Sequence, residues 1–315
     1  YSSSFALAQA KFGGADFFLS RQAIRMVLAL GCFLVFINVD YHVWGKMGSF
    51  VYLGAIIMLL AVLMMPDSGA IKGAKRWISL GPLTFQVSDF ARVALIVALA
   101  KKLEDCKERI SEWKVFVQHL IKVGLVCGLV FLEPNLSTAV IIAGIGLTMI
   151  FVAGARLSHI LLVFAMMIPG VVIGILTTPY RLRRLIAFLN PADHKDHVGY
   201  QTYQALIGLG NGGVFGQGLG NGQQKFFYLP EPHTDFVFSI LGEELGFVGL
   251  MVILAAFGFL IFRGIRIAVK APDTLGQTMA LGITMMLAMY VVLHAFVNIG
   301  VAPTTGVPLP FLSYG

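Results

Sequence analysis

The sequence has few charged residues. Asp, Glu, Lys and Arg make up 12% of its 315 positions, whereas 57% of the positions are hydrophobic. A soluble globular protein carries roughly 25% charged residues. The shortage argues against a soluble protein with a large core and predicts a chain that crosses a membrane several times.

Cysteine is also rare. The three cysteines, Cys32, Cys106 and Cys127, form no CxxC pair and no spacing typical of metal ligands. We interpret them as free apolar residues, which argues against a disulfide framework and a zinc site. The net charge of +7, in contrast, suits contact with anionic lipids or with an anionic substrate.

Long apolar runs are what the sequence has in abundance. A membrane-spanning helix needs about 20 mostly apolar residues. The runs predict an all-α polytopic membrane protein with eight clear spans, at roughly 23–41, 48–65, 88–103, 115–132, 136–154, 158–176, 236–262 and 278–300. The short loops at 101–114 and 263–276 are rich in Lys and Arg, which predicts that they are cytoplasmic. The loops at 66–87, 133–135, 177–235 and 301–310 are then external.

The long loop at 177–235 contains two distinct patterns. At 180–189, arginines fall between leucines at helical spacing, which predicts a basic amphipathic helix in the membrane interface. Eight glycines then lie between Gly208 and Gly222. This segment either packs closely against other backbone or brings its N–H groups to a ligand. It is not a dinucleotide-binding motif, because no strand precedes it.

Four polar clusters fall on the predicted external face, and the first is the segment at 72–89. Lys72, Lys75 and Arg76 are cations suited to phosphate groups, and Trp77 is suited to anchoring at the headgroup level. A plain interfacial loop would have the same composition, so both interpretations stay open.

The second and third clusters are an acid and a group of arginines. Glu133 in FLEPNLSTA lies between two spans, where an acid is costly and is a functional candidate. A structural acid in a cap or salt bridge is the alternative. Arg181 and Arg184 face either an anionic ligand or the lipid headgroups.

The fourth cluster is YLPEPHTDFVFSILGEELGFVG, residues 228–249. If the seventh span ends near Phe262, about 20 residues reach back only to Gly242 or Glu243, and Asp235 lies roughly 12 Å further out, at headgroup height. It is either a reactive carboxylate or a helix N-cap. His233 and Asp235 lie two residues apart, which is a weak signal for a metal. We interpret Glu243 and Glu244 as residues that hold helices together.

These clusters together suit one kind of chemistry. Cations neutralise a pyrophosphate leaving group, and a carboxylate accepts the proton of an attacking sugar hydroxyl. The residues therefore predict a reaction site at the outer membrane surface, where the headgroup of a lipid-borne sugar would lie.

Six stretches carry a resemblance to a known family: KGAKRWI, FQVSD, LEPNLSTA, GYQTYQALIGLGNGG, GLGNGQQKFFYLPEPHTDFVFSILGEELGFVG and PTTGVPLPFLSYG. In order and spacing they resemble the FtsW/RodA family, also called SEDS proteins, through nearly the whole chain. GLGNGQQKFFYLPEPHTDF and PTTGVPLPF look more like the cell-division branch, FtsW, than the rod-elongation branch. The resemblance implies one integral-membrane domain over 1–315 with about ten transmembrane helices. It also implies a large extracytoplasmic loop, here 177–235, between the seventh and eighth helices.

The resemblance also implies a function and partners. Family members of this kind are peptidoglycan glycosyltransferases that polymerise lipid II for septal wall synthesis in the bacterial inner membrane at the division septum. The implied partners are lipid II, a class B penicillin-binding protein and other division proteins, with no nucleic acid. No cofactor is predicted, and a divalent cation stays open.

The resemblance assigns roles to individual residues. The family's catalytic Asp maps onto Asp235, its acid in EP maps onto Glu133, and its basic loop maps onto Lys72, Lys75, Arg76 and Trp77. We add a second group of predicted substrate-binding residues, which consists of Arg92, Arg181, Arg184, Lys225 and His233.

The sequence departs from the family pattern at several points. Asn135 and Ser137 interrupt the usual EPDLGT, and Val87, Ser88, Asp89 and Arg92 replace PSE…K. The stretch between VNIG and PTTG is short, SYG is not followed by a final helix, and the chain starts abruptly, so we expect missing segments at these places.

Two other functions stay open from the sequence alone. A lipid II flippase would line a path across the bilayer with polar residues, and the mostly apolar helix middles argue against it, with Lys122 an exception. A non-catalytic scaffold for the division machinery is the other alternative.

Overall fold

The computed structural model describes residues 4, 9, 13, 16–65, 76–80, 83–189, 199–226, 229 and 233–314. Within these residues the chain forms ten α-helices and one two-stranded antiparallel sheet. The helices are α1 (Phe17–Asn38), α2 (Tyr41–Leu63), α3 (Val87–Asp105), α4 (Trp113–Leu132), α5 (Leu136–Val152), α6 (Leu157–Leu176), α7 (Pro179–Leu189), α8 (Tyr200–Gly212), α9 (Val237–Lys270) and α10 (Thr274–Asn298). The strands are β1 (Trp77–Leu80) and β2 (Leu83–Gln86).

Six of the described helices are long and apolar enough to cross a membrane: α1, α2, α4, α6, α9 and α10. All eight runs predicted as spans are helical, and α3 and α5 are the other two. Helix α5 is apolar but has only 17 residues. Some ends differ from the prediction, since α1 begins at Phe17 and α9 continues to Lys270. The flanking Arg and Lys residues are good helix formers, so the helices extend past the apolar runs.

The all-α prediction omitted the β-hairpin. Trp77 pairs with Gln86 and Leu80 with Leu83 in an antiparallel register. The sequence carried a short signal for it, because the apolar runs WISL and LTFQ flank a Gly-Pro dipeptide. The prediction treated the whole segment as one external loop and assigned no hairpin within it.

By its internal packing the chain forms two compact units. The first unit comprises 32–165 and 261–287, and the second comprises 1–31, 166–260 and 288–315. In the first unit, α2, α3, α4 and α5 pack against one another. Gly48 of α2 lies against the α3 backbone, where an added Cβ would be 3.0 Å from Ala98 Cα. Small residues at such crossings let membrane helices approach closely.

The second unit contains the segment predicted as the long external loop. The basic amphipathic helix predicted at 180–189 is α7, and a further helix, α8, follows at Tyr200–Gly212. A buried apolar cluster lies at the end of this segment and consists of Ala205, Leu229, Phe236, Ile240 and Val297. The cluster packs α8 and the start of α9 against α10.

Helix α9 is interrupted at Gly246, whose backbone has φ 68° and ψ −171°. The glycine-rich segment 213–218 occupies the interruption. The N–H groups of Gln217 and Gly218 each donate a hydrogen bond of 3.0 Å, to the carbonyls of Glu243 and Glu244 respectively. These carbonyls lose their partners within the helix at the break, and the segment replaces those partners.

The same segment also provides hydrogen-bond partners for the backbone N–H groups that follow the interruption. The N–H groups of Phe247 and Val248 donate to the carbonyls of Gly213 and Val214, at 2.9 and 3.1 Å. A broken membrane helix needs such partners because lipid offers none. Of the two interpretations of the glycine-rich segment, close backbone packing describes these residues.

Candidate active site

Glu133 is the residue directly after α4 and is fully buried. Its side chain has 0% exposure, and neither carboxyl oxygen has a hydrogen-bond partner among the described residues. Burial raises the pKa of Glu133 to about 8, and the nearby Arg76 charge opposes that rise only in part. At neutral pH the carboxyl of Glu133 therefore retains its proton.

Arg76 is fixed to the backbone that carries Glu133. Its Nε donates to the Glu133 carbonyl at 2.8 Å, and a terminal guanidinium nitrogen donates to the Pro134 carbonyl at 2.6 Å. The β-hairpin begins at the next residue, Trp77. The first unit therefore brings together two of the predicted site residues, an arginine and a carboxyl.

The other predicted residues of the first unit lie in different surroundings. Arg92 is buried on α3 and forms an ion pair of 3.3 Å with Asp89. Trp77 is half-buried in β1. Lys72 and Lys75 lie outside the described residues, so their part in the site stays a prediction.

Asp235 of the second unit lies two residues before α9, and its local backbone is held by the C-terminal segment. The carbonyls of His233 and Thr234 each accept a hydrogen bond from that segment, and the carbonyl of Asp235 accepts one from the last residue of α10. The donors are Tyr314 N at 2.8 Å, Ser313 Oγ at 2.7 Å and Asn298 Nδ2 at 3.2 Å. Three successive anchors of this kind hold the backbone that carries the half-buried Asp235 side chain.

Asn298 is the central residue of this network and is fully buried. Its Oδ1 accepts from the backbone N–H and the hydroxyl of Ser239, at 3.1 and 2.8 Å. Its Nδ2 donates to the carbonyls of Asp235 and His294. The side chain thus joins α10 to the start of α9. Sequence reasoning missed Asn298, although it lies in the motif VNIG.

The segment 304–306 approaches two of the predicted residues. Arg184 donates to the carbonyl of Thr304 at 2.8 Å. A Cβ built on Gly306 would lie 3.6 Å from Asp235 Oδ2. The short segment PTTG therefore lies beside both Arg184 and Asp235. Its place in the site was not predicted, since this region departs from the family pattern.

Arg181 and His233 also have defined contacts in the second unit. Arg181 donates to the carbonyl of Gly174 at 3.0 Å. The imidazole of His233 is buried and lies 4.7 Å from the Phe18 ring, centroid to centroid. In the described part of the chain, no group of three His, Cys, Asp or Glu residues is arranged to hold a metal.

Lys225 and Glu244 form a buried ion pair. The Lys225 Nζ lies 2.7 Å from a Glu244 oxygen, and the two side chains are 0% and 1% exposed. The neighbouring Glu243 accepts from the backbone N–H groups of Gln223 and Gln224, at 2.9 and 3.1 Å. Both acids therefore hold the glycine-rich segment to α9. Lys225 is part of this attachment, and its predicted role in substrate binding stays a prediction.

The fold and these clusters define a polytopic helical membrane protein whose candidate site residues lie at helix ends and in connecting segments. The chain belongs to the FtsW/RodA/SpoVE family of cell cycle proteins, whose sequence model matches residues 1–315. The family inferred from the motifs is thereby confirmed.

Two relatives illustrate the similarity in sequence. The chain is 40% identical to the probable peptidoglycan glycosyltransferase FtsW of Geobacter sp. (strain M18), covering 100% of this chain and 86% of that protein. It is also 40% identical to stage V sporulation protein E of Bacillus subtilis (strain 168), with the same coverage.

Solved structures share the fold. One, from work on the structural coordination of polymerization and crosslinking by a peptidoglycan synthase complex, has a TM-score of 0.81 and 29% identity. That similarity covers 95% of this chain and 84% of the other. The rod shape determining protein RodA of Thermus thermophilus has a TM-score of 0.70 and 26% identity, covering 100% of this chain and 86% of RodA. The prediction of a polytopic helical membrane fold is confirmed.

Proposed function

We propose that this chain is a peptidoglycan glycosyltransferase that polymerises lipid II into glycan strands for septal wall synthesis. Membership of the family and the names of the FtsW relatives support the reaction. The observation that carries the proposal is the fixed backbone around Asp235, since a catalytic base must be held in place before the substrate arrives. Buried Asn298 supplies one of those anchors.

In the proposed reaction, the 4-hydroxyl of an acceptor GlcNAc attacks C1 of the donor MurNAc. A carbon–oxygen bond forms at C1 while the bond to the lipid pyrophosphate breaks. The hydroxyl proton passes to the carboxylate of Asp235, and the electron pair leaves with the pyrophosphate. One carboxylate that activates the nucleophile in a direct displacement is the pattern of inverting transfer.

Glu133 and Arg76 have a different part in the proposal. A carboxyl that keeps its proton at neutral pH is a poor base and a good hydrogen-bond donor. Arg76 lies beside Glu133, and its proposed part is to attract an anion such as a pyrophosphate with its positive charge. We therefore assign proton acceptance to Asp235 alone.

The proposal includes a class B penicillin-binding protein as partner at the division septum. The similarity to a chain of a peptidoglycan synthase complex supports a partner of this type. The six membrane-length helices leave many apolar side chains exposed, and such faces suit contact with a partner's single membrane helix.

Polymerisation of labelled lipid II by the purified chain tests the proposal, with and without the cognate transpeptidase. We expect glycan strands from the wild type and none from Asp235→Asn. Transfer of lipid II across vesicles without any glycan product would instead identify a flippase. Neither activity, together with intact binding to division proteins, would identify a scaffold.

A further inference from the structure

A cavity of about 700 Å³ lies in the first unit, and its lining residues are different from those of the candidate active site. It is formed by the last turns of α9, the link at 271–273, the first turns of α10 and Tyr41 of α2. Ligand sites in proteins commonly have volumes of about 300–1,000 Å³. The cavity is therefore large enough for a lipid headgroup with the first part of its acyl chains.

Three cations line one side of this cavity. Arg263, Arg266 and Lys270 are exposed and lie at helical spacing on one face of α9. Within the part of the chain that the structure describes, none of the three forms an ion pair. Their charge is thus available to a ligand. The nearby acid Asp273 is already engaged, since it accepts from Tyr41 OH and from Gly276 N.

The cavity also has an apolar side. It is formed by Met279, Ala280 and Ile283 of α10, together with Ile267 of α9. A ligand that satisfies both sides must have an anionic group beside a hydrocarbon portion. A free phosphate satisfies only the cations, and a neutral lipid satisfies only the apolar side.

We propose that this cavity binds an anionic phospholipid, with its phosphate at Arg263, Arg266 and Lys270 and its acyl chains along α10. The basic loop at 263–276 is predicted to be cytoplasmic. The cytoplasmic leaflet is rich in anionic lipids, and basic pockets between membrane helices on that side suit their headgroups. The site is independent of the proposed glycosyltransferase reaction.

The test is native mass spectrometry of the delipidated full chain, titrated with phosphatidylglycerol or phosphatidylcholine. The wild type is expected to retain phosphatidylglycerol preferentially. Arg263→Gln/Arg266→Gln should weaken that binding by at least about tenfold, because each cation near the site contributes roughly fivefold. The charge-matched control, Lys114→Gln/Arg156→Gln, removes two exposed cations outside the cavity and should bind as the wild type does.

A second variant separates a cavity from diffuse surface charge. Ala280→Phe keeps all three cations and fills the apolar side, so it should also lose the preferential binding, with size-exclusion chromatography as the check on folding. Equal losses in the cavity and control double variants would overturn the proposal in favour of general surface attraction. Displacement of the lipid by inorganic phosphate at similar concentration would overturn it in favour of a phosphate site.

Discussion

The side-chain amide of Asn298 donates a hydrogen bond of 3.2 Å to the backbone carbonyl of Asp235. The same side chain accepts two hydrogen bonds from Ser239, so it holds both the candidate base and the first turn of α9. The backbone that carries the Asp235 side chain is therefore anchored to α10, by a residue more than sixty positions further along the chain.

Removing this anchor should damage both stability and catalysis. Asn298→Ala leaves the buried N–H and hydroxyl of Ser239 without their acceptor, which costs about 1–3 kcal/mol for each unsatisfied group. We expect a lower thermal midpoint and a larger fall in kcat than in substrate affinity, because the base loses its position. The control is Asn221→Ala, whose side chain donates locally at an exposed site. Equal effects in the two variants would show that Asn298 has no special part in positioning Asp235.

Proton acceptance by Asp235 is tested by Asp235→Asn. The amide keeps the shape of the side chain but cannot accept a proton, so glycan synthesis should fall by on the order of 10²–10⁴-fold. Folding should be unchanged, because the three local anchors are to backbone carbonyls. Asp235→Glu retains a carboxylate one methylene further out and should keep a trace of activity. Near-normal polymerisation by purified Asp235→Asn would remove this residue from the mechanism.

Glu133 should make stability depend on pH. Its pKa is raised in the folded protein to about 8, above the ordinary value of 4.5, so folding favours the protonated form. The stabilisation that protonated Glu133 gives the folded state is present in full below about pH 4.5 and is lost as the pH rises through about 8. Glu133→Gln has a neutral side chain at every pH, so its thermal midpoint should depend less on pH in this range. Thermal midpoints of the two proteins between pH 5 and 9 check this, and parallel profiles would contradict it.

The break in α9 should tolerate no side chain on either of its facing glycines. A Cβ on Gly216 would collide with the Glu244 carbonyl, and a Cβ on Gly246 with the backbone of Gly216. Both glycines also have positive φ values, of 79° and 68°. Gly216→Ala and Gly246→Ala should therefore yield little folded protein. Gly258→Ala in the same helix has open space and should match or slightly exceed the wild type in stability. Fluorescence-detected size-exclusion chromatography of the three variants checks this.

The effects on stability of substituting buried Lys225 and Glu244 should be strongly coupled. Lys225→Met leaves a buried carboxylate without its cation, which costs about 3–5 kcal/mol. Lys225→Met/Glu244→Gln removes both charges and should recover most of that loss in thermal unfolding. Glycan synthesis by this double variant would limit Lys225 to attachment of the glycine-rich segment. A stable double variant without activity would instead support its predicted contact with substrate.

The sequence by itself determined the class of protein. Runs of apolar residues located eight helices, six of which are long and apolar enough to cross a membrane, because a helix that crosses lipid must satisfy its own backbone over about 20 residues. The helical spacing of the leucines at 182–189 predicted α7. Asp235 and Glu133 were predicted as site residues because acids at the ends of apolar runs are energetically costly.

The tertiary structure decided the features that join distant parts of the chain. Asn298 is an ordinary polar residue in its own helix, and only packing places its amide beside Asp235. The fit of Gly216 into the break at Gly246 and the pairing of Lys225 with Glu244 join segments 19 to 30 residues apart. The local sequence pattern indicates only which side chains prefer lipid or water. The contacts of Asn298, Gly216 and Lys225 depend instead on which polar groups still need partners once the helices have packed.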